Sequence, residues 1–348
     1  MTLRHLTSAF ALLILTTGAS SPAGAQDSQA NPAQTGPAQA APAADAAPVK
    51  DLKPAAIAPL AAQSLILDAA LAGNRLVAVG ERGHILLSDD AGKSWRQVPS
   101  PANTTLTGVS FADAKQGWAV GHDAVILHTT DGGETWELQH YAPELEQPLM
   151  DVHFGDPMNG IAVGAYALFM ETSDGGRTWT DRRIIEDDYH FNAVFAPTPE
   201  TRVIAGEFGG VYVSADRGKS FAPVETPYEG SFFGGLALGP QSFLVFGLQG
   251  NAFRTDDNGK SWSQIQTNTK SGLMGGAALK DGRTILVGPS GTVLTSTDGA
   301  RTFSLERRSD RVALAEAIEA PDGTLILLGE QGAITTAAAP AGAPPGTR

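Results

Sequence analysis

One eight-residue pattern occurs six times in this chain, and its regular spacing limits the fold more than any other feature. In its third copy the pattern reads T-S-D-G-G-R-T-W, from Thr172 to Trp179. The central aspartates lie 41, 43, 42, 41 and 41 residues apart: Asp90, Asp131, Asp174, Asp216, Asp257 and Asp298. Repetition at a fixed period of this length indicates one supersecondary unit that is repeated along the chain.

The residue types of each copy predict a tight turn that leads into a strand. The aspartate can accept hydrogen bonds from backbone N–H groups ahead of it, while the glycine that follows takes a positive φ. The closing Trp or Phe then begins a strand and supplies a large apolar surface. The sixth copy has Ala300 in place of the glycine, so we expect a strained or altered turn there. The copies resemble the Asp-box repeats of β-propellers, which occur in sialidases, xyloglucanases, sortilin-type receptors and assembly factors.

A second signature precedes each box: an apolar alternating run that ends at a glycine and is followed by a turn and another strand. It occurs seven times, ending at Gly80, Gly121, Gly164, Gly206, Gly247, Gly288 and Gly329. Each unit therefore has four short strands, for example an inner strand over Thr107–Phe111 and a third strand over Val125–Thr129. Short strands at this spacing, with no helical periodicity, predict an all-β, seven-bladed β-propeller. A six-bladed ring with a loose partial unit is the alternative.

The seventh unit ends without a box or an outer strand. Propellers of this kind usually take the missing strand from the other end of the chain, which closes the ring. The segment just before the first inner strand, within about residues 51–62, is the candidate, and Ala55–Ala58 is its apolar part. We therefore expect the N-terminal segment to supply the outer strand of the last blade.

The first 25 residues predict a secretory signal peptide. They contain Arg4, a short apolar run over residues 9–15, and an A-x-A-like site that ends at Ala25. The run is too short for a membrane anchor, so we expect cleavage after Ala25 and a periplasmic or secreted protein. The Ala/Pro-rich residues 26–58 and the tail 338–348 bury too little apolar surface to order, which leaves residues 59–337 for the propeller.

Composition argues against several classes of partner and chemistry. With the single basic residue of the signal removed, 23 basic and 37 acidic side chains give the mature chain a net charge of −14. This charge disfavours nucleic acid and anionic lipid as partners. The chain has no cysteine, which excludes disulfides. It has no phosphate loop, dinucleotide fingerprint or nucleophile elbow, so we expect no cofactor.

Strand order predicts which loops share a face of the disc. The boxes lie on one face, and the turns after the seven glycines lie on the other with the connections between blades; binding residues usually lie on such loops. Acidic and aromatic residues are frequent in the glycine turns and blade connections, and exposed aromatics are favoured interface anchors. The partner-binding residues predicted there are Asp123, Tyr166, Glu207, Phe208, Asp188, Tyr189, His190 and Phe191.

The box face carries a basic collar, because the residue after the second turn glycine is basic in five of the six copies. Its members are Lys93, Arg177, Lys219, Lys260 and Arg301. The collar is either a functional surface or a set of charges that only offsets the turn aspartates, since exposed ion pairs contribute little to stability.

Catalysis has weaker support in the sequence than binding. Asp187 and Asp188 could form the carboxylate pair of a glycoside hydrolase, but adjacent acids in a surface loop are usually only solvated. The arginine pairs at 182–183 and 307–308 lie in outer-strand or exit positions, where they do not form a sialidase-like cluster. His122 and Asp123 with His128, or His190 with Asp188, lack a third metal ligand. A glycan-active enzyme, sialidase-like or xyloglucanase-like, remains the alternative to a binding protein.

The amino-acid sequence of the second and third units is similar to that of the photosystem II stability and assembly factor family. The stretch from Thr107 to Trp136 follows that family's pattern: an inner strand ending in Phe, an acidic turn, Gly-Trp-Ala-Val-Gly and then the box. The resemblance covers about residues 60–336. It implies a non-catalytic, exported factor that binds subunits of a membrane-protein complex. Members from non-photosynthetic bacteria resemble accessory proteins of envelope machinery, often RND-type exporters. Photosynthetic members bind in part through a patch of arginines, of which this sequence shows no equivalent.

Overall fold

The computed structural model describes residues 52–336. The signal peptide, most of the linker and the tail predicted for residues 1–51 and 337–348 lie outside the described residues. Within the described part of the chain, no helix is long and apolar enough to cross a membrane.

Twenty-seven strands form seven separate antiparallel sheets, and in each sheet the strands neighbour one another in chain order. The strands of blades 1 to 4 are β1 (Ile66–Ala72), β2 (Arg75–Gly80), β3 (Ile85–Ser88), β4 (Arg96–Val98), β5 (Leu106–Phe111), β6 (Gly117–Gly121), β7 (Ile126–Thr129), β8 (Glu137–His140), β9 (Leu149–Phe154), β10 (Gly160–Gly164), β11 (Phe169–Thr172), β12 (Thr180–Asp181), β13 (Phe191–Phe195), β14 (Arg202–Gly206), β15 (Val211–Ser214) and β16 (Ala222–Val224). The strands of blades 5 to 7 are β17 (Phe232–Ala237), β18 (Phe243–Gly247), β19 (Ala252–Thr255), β20 (Ser263–Gln264), β21 (Gly275–Ala278), β22 (Thr284–Gly288), β23 (Thr292–Ser296), β24 (Ser304–Arg307), β25 (Leu314–Glu319), β26 (Leu325–Gly329) and β27 (Gly332–Thr336).

Helical structure is limited to single 3-10 turns. They lie at Ala61–Gln63, Glu81–Gly83, His122–Ala124, Pro143–Leu145, Ala165–Ala167 and Leu248–Gly250. Seven sheets with almost no helix confirm the predicted seven-bladed β-propeller.

The second strand of each blade lies in the middle of the core. In β6, β10, β14, β18, β22 and β26 every residue is buried, because neighbouring blades cover both faces of each sheet. The buried apolar side chains accordingly form seven clusters, one at each boundary between neighbouring blades. The glycine that ends each of these strands allows a close approach. A Cβ on Gly121 would lie 2.1 Å from the carbonyl oxygen of Thr105, just before the inner strand.

Each Asp box is closed by the same four side-chain hydrogen bonds. In blade 3, Thr172 Oγ1 donates to Asp174 Oδ1 (2.8 Å) and accepts from the Gly176 N–H (2.9 Å). The Thr178 N–H donates to Asp174 Oδ1 (2.9 Å), and the Thr178 hydroxyl donates to Oδ2 (2.7 Å). The other five boxes repeat this pattern. The Asp boxes are therefore local turns that depend on side chains only four residues apart.

The sixth box keeps this geometry although it lacks the glycine. The Ala300 N–H donates to Ser296 Oγ at 2.9 Å, as the glycine does in the other copies. Ala300 takes a φ of 62°, so the strain that we expected lies in the backbone conformation. Its methyl group is fully buried among apolar neighbours. The turn is strained but its hydrogen bonds are unaltered.

The prediction for ring closure needs a correction. The seventh sheet has three strands, β25 to β27, and the described residues 52–58 form no strand. Instead the Ala55 N–H donates to the carbonyl oxygen of Ser100 (3.0 Å), just past β4 of blade 1. Pro54 and Pro59 flank only four residues here, and this leaves too few N–H donors to extend a ladder. The folded region therefore begins before residue 59, inside the predicted linker.

Side chains hold blades 7 and 1 together. Ala61 is buried in a cluster that joins Leu76 and Leu86 of blade 1 to Ile326 and Leu328 of blade 7. Across the same boundary, the hydroxyl of Thr335 donates to the carbonyl oxygen of Gly92 at 3.0 Å. The N-terminal segment thus contributes to closure by packing.

Candidate functional site

The glycine-turn face carries a compact group of polar and aromatic side chains where blades 3 and 4 meet. We call it the blade 3–4 surface, and its members are Tyr166, Asp188, Tyr189, His190, Glu207 and Phe208. Tyr166 lies in the turn between β10 and β11, while Glu207 and Phe208 lie in the equivalent turn of blade 4. The other three lie in the connection from β12 to β13. Two turns and one connection therefore bring these residues to one place.

Ring contacts join the aromatic members in two pairs. Tyr166 contacts His190 edge to face, with 4.8 Å between the ring centroids. Tyr189 contacts Phe208 in a tilted arrangement at 4.6 Å. The two pairs are linked through the backbone, since the Ala167 N–H donates to the carbonyl oxygen of Tyr189 at 2.9 Å. Such pairs contribute about 0.5–1.5 kcal/mol beyond the area that they bury, which helps to hold the rings in place.

The turns hold two of the aromatic residues in an unfavourable backbone conformation. Tyr166 has a φ of 55° and Phe208 a φ of 53°, a left-handed region that costs roughly 1–2 kcal/mol for residues with a Cβ. Their side chains nevertheless stay in solvent, 38% exposed for Tyr166 and 64% for Phe208. Large apolar side chains gain nothing for folding when they stay exposed in a strained turn. The equivalent residue also has a positive φ in blades 1, 2, 5 and 6, so the repeat sets the conformation, and the exposed aromatic ring is what distinguishes blades 3 and 4.

Polar contacts fix the loops beneath these rings. His190 Nδ1 lies 3.2 Å from Glu207 Oε2, and the same oxygen accepts from the His190 N–H at 3.0 Å. The Glu207 N–H donates to the carbonyl oxygen of His190, also at 3.0 Å. Asp188 accepts from Arg183 Nη2 at 2.6 Å, so part of the local negative charge is compensated. The surface is therefore ordered before any partner binds.

Two of the eight residues predicted for the glycine-turn face are not members of the blade 3–4 surface. Phe191 is fully buried in the core between blades 3 and 4, where it starts the inner strand β13. Its ring turns into the core where the strand begins, whereas Tyr189 and His190 precede the strand and are only half-buried. Asp123 lies in the corresponding turn of blade 2, one blade away, where its carbonyl oxygen accepts from the Ala142 N–H. Partner contact through the Phe191 ring is thus excluded.

Sequence reasoning missed three carboxyl groups that line the central channel. Asp68, Asp151 and Glu316 occupy the third position of the inner-strand segment in blades 1, 3 and 7, and they border a cavity of about 320 Å³. Each accepts an N–H from a neighbouring blade: Val109 to Asp68 (2.7 Å), Val194 to Asp151 (2.8 Å) and Gly276 to Glu316 (2.7 Å). Acidic residues at one repeat position inside apolar strands were the signal that could have found them.

Burial raises the pKa values of these three carboxyls. The pKa of Asp68 rises to about 7 through desolvation and the nearby charge of Asp151, and that of Asp151 rises to about 6 through desolvation. Desolvation and the charge of Asp68 raise the pKa of Glu316 well above its ordinary value. Both oxygens of Asp68 and of Asp151 accept backbone N–H groups. These carboxyls hold neighbouring blades together, and Glu316 accepts both of its N–H groups at Oε1.

The other groups considered for catalysis or metal binding are dispersed. Arg182 pairs with Glu171 at 2.9 Å, and Arg308 pairs with Asp310 at 2.5 Å. His128 Nε2 lies 3.0 Å from Gln116 Oε1 in blade 2, away from the exposed His122. Asp187 is exposed in its connection, beside Asp188. Among residues 52–336, no three His, Asp or Glu side chains are grouped in a way that could hold a metal ion.

The five collar residues of the box face are exposed. Arg301 has an acid within ion-pair distance, Asp256 at 3.8 Å, and the other four form no salt bridge within the described part of the chain. Exposed acids of the β-turns and boxes lie between the collar residues, among them Asp113 and Glu200.

Comparison with known proteins gives the family. The sequence pattern of the family described as Photosynthesis system II assembly factor YCF48 matches residues 48–145 and 139–287, which together exceed half of the chain. The photosystem II stability/assembly factor HCF136 of the alga Cyanidioschyzon merolae is 46% identical over 48 residues, 13% of this chain and 11% of that protein. The aligned stretch thus covers about a ninth of that curated relative's length.

Two solved structures show the same fold. One, described as YCF48 bound to D1 peptide, superposes with a TM-score of 0.64 at 19% identity and covers 83% of this chain and 97% of its own. The other is a GH74 enzyme of Niastella koreensis, with a TM-score of 0.62 at 13% identity over 82% of this chain and 53% of its own. At these identities the structures establish only the fold. The family pattern goes further: this chain belongs to the Photosynthesis system II assembly factor YCF48 family.

Proposed function

We propose that this protein is a non-catalytic, exported binding propeller that acts as an assembly or accessory factor for a membrane-protein complex. The partner is a protein subunit that docks on the blade 3–4 surface. The observation that carries the proposal is the pair of exposed aromatic side chains, Tyr166 and Phe208, held outward by strained turns. Membership of an assembly-factor family supports a binding role. The signal peptide expected for residues 1–25 supports export to the periplasm or beyond.

The chemistry of this surface defines the partner segment that it fits. Tyr189 and Phe208 offer apolar area, and aromatic residues in the centre of an interface often provide most of the binding energy. Around them lie the carboxylates of Glu207, Asp187 and Asp188, which favour a partner with basic residues at the rim. We infer a segment in which one or two apolar side chains are flanked by Lys or Arg. A related protein, described as YCF48 bound to D1 peptide, supports peptide capture as a capacity of this fold.

The identity of the complex follows from the family resemblance alone. Members from non-photosynthetic bacteria resemble accessory proteins of RND-type exporters, and such an exporter is the specific complex that we propose. The net charge of −14 for the mature chain disfavours a direct role at anionic lipid. Contact with the complex would therefore be made through its periplasmic protein segments.

A crosslinking capture experiment tests the docking surface. The double substitution Tyr189→Ala with Phe208→Ala removes the contacting pair of a half-buried and an exposed ring. We expect it to reduce capture from envelope extracts at least about tenfold, as loss of a hot spot does. Met158→Ala is the matched control, because Met158 is also an exposed apolar residue but lies in the β9–β10 turn on the box face. Equal capture by the wild type and the double variant would remove this surface from the account.

The same purified protein separates binding from catalysis. A glycan-active enzyme would release product from some member of a panel of sialosides, xyloglucan and aryl glycosides. Both oxygens of Asp68 and Asp151 and Oε1 of Glu316 accept backbone N–H groups, and Asp188 is paired with Arg183. We therefore expect no turnover, and release of product that Asp188→Asn abolishes would refute the non-catalytic proposal.

A further inference from the structure

A cavity of about 600 Å³ opens at the boundary between blades 3 and 4, on the face that carries the Asp boxes. The equivalent space at blades 2 and 3 is filled. In blade 2, Trp118 is fully buried at the second position of β6 and stacks on Phe154 with 3.4 Å between ring centroids. In blade 3 the same position holds Ile161, which borders the cavity. The other blades also hold an aliphatic residue at this position, so the indole of Trp118 is the exception that fills the space at blades 2 and 3.

Arg202, at the first position of β14, lies in the wall of this cavity and is only 6% exposed. Its Nη1 donates to three backbone carbonyl oxygens, those of Thr198 (3.2 Å), Pro199 (3.0 Å) and Thr201 (3.0 Å). Its Nε and Nη2 donate to no acceptor among residues 52–336, and no carboxylate there forms a salt bridge with it. A buried charge is normally paired, because removing it from water is costly.

The first blade provides an internal comparison. Arg75 of β2 lies one residue earlier in the repeat than Arg202, whose counterpart in the strand register is Leu76. Arg75 pairs with Asp89 at 2.6 Å and Glu134 at 2.8 Å. The more deeply buried arginine, Arg202, is thus the one without a carboxylate. Its unused edge, Nε with Nη2, is the edge of a guanidinium that matches the two oxygens of a carboxylate or phosphate.

His153 adds a second unpartnered group at the same point. Its Nε2 is buried and has no hydrogen-bond partner. A Cβ on Gly155 would lie 2.3 Å from Arg202 Nη2 and 4.0 Å from His153 Nε2, so both nitrogens border the space that this glycine leaves. Burial and the neighbouring Arg202 lower the pKa of His153 to about 4. The imidazole is therefore neutral near pH 7, and the Nε2–H tautomer can donate a hydrogen bond.

The remaining charges of the cavity are largely occupied. Glu171 accepts hydrogen bonds from Nε and Nη2 of Arg182. Asp156 accepts hydrogen bonds from the backbone N–H groups of Met158 and Asn159. Lys219, a collar residue, lines the cavity without a salt-bridge partner in the described chain.

We propose that this cavity is an oxyanion-binding site, in which Arg202 binds a carboxylate or phosphate group through Nε and Nη2, with His153 and Lys219 as further contacts. The site lies on the face opposite the blade 3–4 surface and is independent of the proposed docking.

Anion titrations of the full chain test this site. Inorganic phosphate and acetate are added separately while the amide resonances of Gly155 and Gly218, which border the cavity, are followed by NMR. We expect saturable shifts with at least one of the two anions. Saturation by acetate assigns a carboxylate ligand, and saturation by phosphate alone assigns a phosphoryl ligand. Sodium chloride at equal ionic strength serves as the reference titrant, and shifts that it reproduces would overturn the site.

Three variants test which residues bind the anion. Arg202→Lys keeps the charge but loses the two-nitrogen edge, and should weaken the anion about tenfold or more, as charge-assisted pairs imply. Lys219→Glu changes an exposed residue that folding does not need, and should weaken binding about fivefold. Lys260→Glu, the same box position in blade 5, should stay within about twofold of the wild type. Unchanged affinity in Lys219→Glu together with unchanged affinity in Arg202→Lys, or an equal loss in Lys260→Glu, would overturn the proposal.

Discussion

Replacing Asp174 by alanine tests how much an Asp box stabilises its own blade. The change removes three hydrogen bonds to its carboxylate, from Thr172 Oγ1 (2.8 Å), the Thr178 N–H (2.9 Å) and the Thr178 hydroxyl (2.7 Å). The net value of one such bond is about 0.5–1.5 kcal/mol, and water can replace part of each bond in this exposed turn. We expect the free energy of unfolding to fall by about 2–3 kcal/mol.

Urea unfolding, followed by both tryptophan fluorescence and circular dichroism, measures this loss. Asp181→Ala is the matched control, because Asp181 lies in β12 of the same blade and its exposed side chain forms no hydrogen bond or ion pair within the described residues. It should change the free energy of unfolding by less than about 0.5 kcal/mol. Equal effects of the two substitutions would show that the box network contributes nothing to stability.

Three further predictions concern the core and the channel. The folded-state pKa of Asp151 is raised from 3.8 to about 6, so the stability of the wild type relative to Asp151→Asn should be greatest below about pH 4. This difference in the free energy of unfolding should fall by at most about 3 kcal/mol as the pH rises through 6. Urea unfolding at several pH values measures it, and a difference that does not change with pH would contradict the raised pKa. Phe191→Ala should cost about 3–5 kcal/mol through a buried cavity. Phe208→Ala, which loses only the contact of an exposed ring with Tyr189, should cost at most about 1.5 kcal/mol; similar costs in chemical unfolding would contradict the burial that separates these two rings. Ala300→Gly relieves a φ of 62° but removes a buried methyl group worth about 0.8 kcal/mol, so its melting temperature should match the wild type, and a clear change would show that one effect dominates.

The propeller could be predicted from sequence because its information is local. The groups that close each box lie within seven residues, and each glycine marks where an inner strand approaches its neighbour. Seven copies of the glycine signature and six Asp boxes therefore specify the number of blades directly. Ring closure is different, because it depends on how residues 52–62 pack on two distant blades. The prolines at 54 and 59 were the available warning that this segment would not join a ladder.

The candidate site was only partly predictable for a similar reason. Turn positions placed Tyr166 and Phe208 on one face, and the connection before β13 added Tyr189 and His190. Their mutual contacts depend on how blades 3 and 4 sit side by side, which the repeat pattern alone does not give. Phe191 was misplaced by a single residue, since the strand begins there and its first side chain turns into the core. The channel carboxyls were missed because their partners are N–H groups of other blades.

Footprinting of the partner-bound protein tests the central claim most directly. Hydroxyl radicals modify exposed aromatic side chains, so the modification rates of Tyr166, Tyr189 and Phe208 report whether the blade 3–4 surface is covered. With the captured partner present, the account predicts that all three rates fall several-fold while that of Met158, on the opposite face, is unchanged. Undiminished modification of the three rings in a complex that demonstrably forms would place the partner elsewhere on the propeller and contradict the account.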